Sequence, residues 1–314
     1  MRAGHNLSVV SLMTACLAMI CGFAGCQGYS RYRHMTDTEL MFELARPENR
    51  MPNTWRDVTG CFEISENGCG GGVGADLDFG GSVPGAVSYA IRDEHSPFFK
   101  RPSSFAALLT ANNPELVLTT LWIYGRVVSF PNQYSLMKAD FGQVVTVIRS
   151  APLRHRDTRV RWMALHVLEQ LHGITAEDLA AGLTDLSIAL RLKTLQCLYH
   201  YSPRQERDAR TLLVPLLIEC LEDAHPAIRQ QAWEHLVRMV RPGNVRESSS
   251  SRPADTDSES PARFPRAHWR LLVQADWHTR HKFVEEVRAV WRDHSDAIIT
   301  RSMSGNANDD QHGR

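Results

Sequence analysis

Polar and apolar positions divide this chain into stretches of different texture. After a short, mildly basic start, an apolar run extends from Leu7 to Ile20. It is too short for a comfortable membrane span and has the length of a signal-peptide core. From Tyr29 to about Ser103 no period holds, and the stretch reads as irregular. Within it, Thr36-Asp37-Thr38-Glu39 ahead of Leu40, Met41, Phe42 and Leu44 predicts a short capped helix, stopped by Pro47 and Pro52. Residues 68–81 hold too much glycine to propagate a helix and predict a loop. From Phe105 to about Val240 apolar residues recur at three and four, glycine thins out and short polar breaks appear. This predicts a succession of amphipathic helices. Arg246 to Arg263 is rich in serine, proline and acid, cannot bury enough apolar area to order itself, and predicts a disordered linker. Helix resumes from His268 to about Ile299, with Phe283, Val284, Val287, Val290, Trp291 and Ile298 on one stripe. A polar tail runs from Ser302 to Arg314.

The helical stretch repeats itself. Its clearest unit is Leu212 to Val240: an apolar first half, a turn Glu222-Asp223-Ala224-His225-Pro226, and a second half with Ile228, Arg229, Ala232 and Leu236 at fixed offsets. Asp185, Leu190, Arg191, Thr194 and Leu198 follow the same order upstream. Val160, Arg161, Ala164 and Leu168 do so again, with Asp157 two positions closer to its arginine. Val117, Leu121 and Gly125 are a weaker echo that lacks the arginine. Positions four apart share one helical face, and a small residue in the middle lets two helices approach closely.

This pattern resembles the HEAT repeat. The resemblance implies an all-α fold, a short solenoid of helical hairpins in which each unit needs its neighbours to bury its face and the ends need caps. It also implies that turn aspartates and arginines ladder between neighbouring repeats, a role that falls here to Asp185, Asp223, Arg161, Arg191 and Arg229. A second resemblance covers only the leader. Phe23-Ala24-Gly25-Cys26 is similar to the lipobox of bacterial lipoproteins, with Phe23 where leucine is usual. It implies acylation at Cys26, and Gln27 in the next position implies sorting to the outer membrane. Two or more acyl chains give stable anchoring. Ordinary cleavage after Ala24, which would free the protein, and an uncleaved anchor are the alternatives. The expected organisation is a signal peptide (1–25), an irregular Gly-rich tether (26–103), HEAT-like repeats (104–242), a linker (243–264), C-terminal helices as a cap (265–302) and a tail (303–314).

Composition narrows the function. Lysine plus arginine balance aspartate plus glutamate, 35 against 35, which disfavours a nucleic-acid partner. None of the cysteines forms CxxC, so neither a redox motif nor a zinc ribbon is signalled. Cys61 and Cys69 could close a short disulfide loop, or stay as two thiols, and Cys197 and Cys220 read as buried small hydrophobes. Residues 71–79 resemble one copy of the calcium-binding nonapeptide of RTX proteins. Asp78 departs from that pattern and no second copy follows, so a loop is the expected reading. The same loop lacks the lysine and hydroxyl of a phosphate-binding loop. His278 and His281, with His268 and His294 nearby, lack the carboxylate spacing of a zinc site. Ser248 to Ser251 have no histidine and carboxylate in context, and Cys197 with His200 reads as packing rather than a thiol–base pair. Arg149, Arg154, Arg156, Arg159 and Arg161 form a basic cluster, read as a solvated edge or as a surface for an acidic partner or anionic lipid.

No catalytic residue, cofactor or metal ligand is assigned. The expectation is a non-enzymatic, lipid-anchored scaffold on the periplasmic face of the outer membrane, binding an unidentified protein. The alternatives are a metal-dependent envelope enzyme or factor using the C-terminal histidines, and a purely structural envelope protein.

Overall fold

A computed structural model describes residues 31–57, 75–79, 82–92, 96–128, 131–201, 207–240 and 269–307. Cys26, the pair Cys61 and Cys69, Ser248 to Ser251, the linker 243–264 and His268 lie outside the described residues. The fold is all-α, with two short strands among the described residues, and it divides into two compact units, one built from residues up to 54 and 78–171, the other from 55–77 and 172–314. No described helix is long and apolar enough to cross a membrane.

The first unit begins with α1 (Asp37–Ala45). The Thr36 hydroxyl accepts from the Glu39 N–H, and the Glu39 carboxylate accepts from the Thr36 N–H at 2.7 Å, so two orphan donors are satisfied reciprocally. Three further elements follow: α2 (Gly85–Arg92), α3 (Pro97–Lys100) and a 3-10 segment (Pro102–Thr110). α1 is the capped helix predicted from Thr36 to Leu44, and α2, α3 and the 3-10 segment add order to parts of the stretch that read as an irregular tether over 26–103. Leu40, Leu44, Met51, Tyr89 and Phe98 from that stretch are among the most deeply buried side chains. These helices are short and punctuated by Pro84, Pro97 and Pro102, so each is shorter than the window in which a period of 3.6 declares itself. Together they pack on α4 (Pro114–Val128) and α5 (Pro131–Ser150), and α6 (Thr158–Gln170) packs on α4 in turn. Phe98 and Phe105 stack at 3.9 Å between centroids, and the Tyr124 hydroxyl donates to the Pro102 carbonyl at 2.6 Å. Gly125 of α4 faces Val167 and Met163 of α6, with room there for contact at ordinary van der Waals distance.

The second unit is a stack of hairpins. Its helices are α7 (Ala176–Leu183), α8 (Ile188–His200), α9 (Arg207–Cys220), α10 (Pro226–Val240), α11 (Trp269–Val273) and α12 (Trp277–Ala307). First helices pack on first helices, α7 on α9, and second on second, α8 on α10. α11 closes on α10, and α12 runs along α9. The apolar offsets account for this: Leu190, Thr194 and Leu198 of α8, and Ile228, Ala232 and Leu236 of α10, are all at or near zero exposure. A two-stranded sheet pairs β1 (Thr54–Asp57) with β2 (Ala75–Asp78), which places strand where the glycine loop was expected to continue.

Candidate functional site

The residues that recur in register form one local device, an arginine folded back over the turn that precedes its helix. In α8 the Arg191 Nη1 donates to the Asp185 carbonyl at 2.7 Å and the Leu186 carbonyl at 3.2 Å. In α10 the Arg229 Nη1 donates to the Asp223 and Ala224 carbonyls at 2.8 and 2.9 Å. In α6 the Arg161 Nη1 donates to the His155 and Arg156 carbonyls at 2.8 and 3.1 Å. Each guanidinium satisfies carbonyls that the entering chain leaves open, so its charge is spent on shape.

The turn residue six places before each arginine has its own task. The Asp185 carboxylate accepts from the Ser187 N–H at 2.8 Å, and that of Asp223 from the His225 N–H at 2.7 Å. These are Asx turns. In the first copy this position is His155, whose Nδ1 accepts from the Asp157 N–H at 3.0 Å. Imidazole thus replaces carboxylate in the same bond. Asp157, two residues later, instead caps α6 by accepting from the Arg159 N–H at 2.9 Å. This explains its displaced spacing.

Between repeats, Arg191 and Asp223 come together, Nε to Oδ2 at 2.8 Å, with both side chains largely buried. Arg229 takes a different partner. Its Nε and Nη2 donate to the Leu272 and Val273 carbonyls at 2.5 and 3.2 Å, at the end of α11. Burial, and then the neighbouring Arg280, push its pKa down to about 10.

A fourth copy starts α12. Asp276 stands at its entry, accepting from the Thr279 N–H and hydroxyl at 3.0 and 2.7 Å, which holds its carboxyl below the ordinary value. Arg280 N–H donates to the Asp276 carbonyl, and its Nη1 to the Ala275 carbonyl at 2.7 Å. The signal in the sequence is an arginine four residues after a capping residue, as at 157 and 161. It was masked because Gln274 stands where aspartate is expected.

Two members of the basic cluster are engaged, Arg161 in its own turn and Arg159 in an ion-pair group. Arg159 meets Asp157 at 2.7 Å, Glu115 at 2.9 Å and the Asn53 side-chain oxygen at 3.0 Å. Burial raises the Asp157 carboxyl, but the Arg159 bonds outweigh it and hold the group below its ordinary value. His281 pairs with Glu222 at 2.5 Å and stacks on Trp277 at 4.7 Å, while His278 is exposed. Among the described residues no group of three or more His, Cys, Asp or Glu is placed to hold a metal ion. Arg288 binds Glu219, Glu222 and Glu285, fixing α12 to α9. Burial raises the Glu222 carboxyl, and the His281 and Arg288 bonds bring it below its ordinary value. Cys197 and Cys220 are buried thiols, and burial pushes Cys220 up to about 12. Leu186 and Trp277 project from this unit, 97% and 54% exposed.

Residues 213–241, spanning most of α9 and all of α10, match the model of the HEAT repeat family. The chain therefore carries a HEAT repeat, and the hairpins on either side of it are built with the same arginine. No curated protein and no solved structure matches the chain.

Proposed function

We propose that this chain is an exported lipoprotein, acylated at Cys26 and held at the periplasmic face of the outer membrane, whose helical hairpins act as a protein-binding scaffold without chemistry of their own. The observation that carries the reading is the use made of the polar residues that recur in register. Arg161, Arg191, Arg229, Asp185 and Asp223 are engaged in shaping turns and joining repeats. What remains for recognition is exposed side chains on a rigid frame, such as Leu186 and Trp277. Stacked repeats offer an extended surface of this kind. The lipobox-like Phe23-Ala24-Gly25-Cys26 supports the anchor.

Two measurements test the reading separately. Cells expressing the full chain are fed radiolabelled palmitate. Label in the wild type that is absent from Cys26→Ser supports the anchor, and label in neither overturns it. Pull-down of the acylated protein from solubilised membranes, with Cys26→Ser as control, is expected to return one reproducible protein partner. Stoichiometric zinc or calcium in the purified protein, with loss of function on chelation, would replace the scaffold by the metal-dependent alternative.

A further inference from the structure

We infer that Arg280 and Trp277, at the start of α12, form a docking site for the aspartate of an acidic turn on a protein partner. The inference rests on the scaffold reading and names one of its contact points.

The template lies within the chain. At Arg191, Nη1 holds its own turn and Nε reaches the carboxylate of the next turn, Asp223, at 2.8 Å. At Arg229 the same division holds, with Nε on the Leu272 carbonyl. Arg280 keeps the first half of the device, Nη1 on the Ala275 carbonyl at 2.7 Å. Among the described residues its Nε and Nη2 have no partner. The edge of the guanidinium that carries the link between repeats is thus open at the last copy.

Charge points the same way. In this register Asp223 pairs with the arginine of the preceding copy, Arg191, and exposed Gln274 stands where the acid for Arg229 would be. Arg229 and Arg280 are close enough to repel, four carbonyls accept from Arg229, and the Asp223 carboxylate offsets part of its charge without a direct bond. Asp276, one helical turn before Arg280, has its oxygens on Thr279. Glu222 is bound by His281 and Arg288. A carboxylate from outside would complete the pair.

Trp277 supplies the apolar part. It precedes Arg280 by three residues, so the two share a helical face. It is 54% exposed, and its ring lies flat on His281, 8° from parallel, which is itself tied to Glu222. The indole is therefore held in place before a partner arrives, and an ordered tryptophan beside an open arginine is the usual composition of an interface hot spot.

The test uses the full mature chain and a defined probe, a capped peptide copying residues 221–226, the turn that Arg191 already binds. Its control carries asparagine at the position of Asp223. The indole N–H resonance of Trp277, assigned by comparison with Trp277→Phe, is followed during titration. The aspartate peptide is expected to move it and the asparagine peptide to leave it unmoved. Arg280→Gln should weaken binding about tenfold, the usual loss on removing a charge-assisted bond. Arg280→Lys, which keeps the charge but loses the two-sided fork that can hold the turn and a carboxylate together, should also weaken it, though less. Equal binding by both peptides, unchanged affinity in both variants, or no movement of Trp277 overturns the inference. So does a response to phosphatidylglycerol vesicles alone, which would assign the site to lipid phosphate. A partner recovered from membranes equally by wild type and Arg280→Gln would leave the scaffold standing and refute this site.

Discussion

Gly182 of α7 packs directly against Thr194 of α8. A Cβ built on Gly182 would lie 2.1 Å from the Thr194 Oγ1 and 3.1 Å from both its Cβ and its Cγ2. Thr194 cannot swing away. It is fully buried, its Oγ1 donates to the Leu190 carbonyl at 2.8 Å, and its branched side chain has few helical rotamers. Gly182→Ala should therefore force the hairpin open. Alanine returns about 1 kcal/mol of helix propensity at this site. Overpacking a closed core costs about 1–3 kcal/mol, and the overlap here belongs at the upper end. The expected net loss is about 2 kcal/mol. Thr194→Ala alone should cost about 1 kcal/mol, through the lost methyl and its cavity. In the double variant the atom at 2.1 Å is gone and only the Cβ contact at 3.1 Å remains, which a shift of a few tenths of an ångström relieves. Gly182→Ala with Thr194→Ala should thus be no less stable than Thr194→Ala alone, a coupling of about 2 kcal/mol. Gly182→Ala with Thr194→Ser retains the oxygen and should not be rescued. Urea unfolding of the four variants, followed by far-UV circular dichroism, measures all of this. Additive losses in the double variant, or an unaffected Gly182→Ala, would refute the argument from packing.

Removing the Asp223 carboxylate leaves Arg191 without its ion pair and the His225 N–H without its acceptor, so Asp223→Ala should cost about 3 kcal/mol. Asp223→Asn retains an oxygen for His225 and should cost less, and the order of urea midpoints decides the point. The Glu222 carboxyl titrates below its ordinary 4.5 in the folded chain, so it contributes stability above that value. That contribution is lost as pH falls through the lower folded value. Unfolding midpoints measured from pH 6 to 3 should therefore fall less steeply for Glu222→Gln than for the wild type, and parallel curves would refute the assignment. Cys220, pushed up to about 12 by burial, should resist iodoacetamide at pH 8 in the folded chain and react on addition of urea. Modification without denaturant, located by peptide mapping, would contradict its burial.

Much of the second unit was legible because its repeat is written in residues that the backbone requires. Arg191 and Arg229 fold onto carbonyls five and six places back, so their spacing from the turn is fixed by geometry rather than by partner. Arg280 obeys the same rule and was overlooked, since residues 241–268 separate it from the other copies and Gln274 breaks the aspartate pattern. His155 was hidden for a related reason. A search for carboxylates passes over an imidazole that makes the same bond. Of the N-terminal helices of the first unit, α1 was legible from its capping box, and α2 and α3 were not, because each is short and owes its order to tertiary burial, as Tyr89 and Phe98 show. The docking site was illegible altogether, because an open guanidinium is recognised only against a closed one.

The resumption of the arginine register at Arg280 changes what residues 241–268 are. They interrupt an array between two of its members, and they do not separate it from something foreign. Stability in such an array is summed from each member and its contact with the next. Lengthening one connection from a few residues to that span costs only about 1.5 kcal/mol in closure entropy. This position can therefore absorb large changes in length at little thermodynamic cost, and a reporter domain or an affinity tag inserted there should leave the hairpins on both sides joined through Arg229.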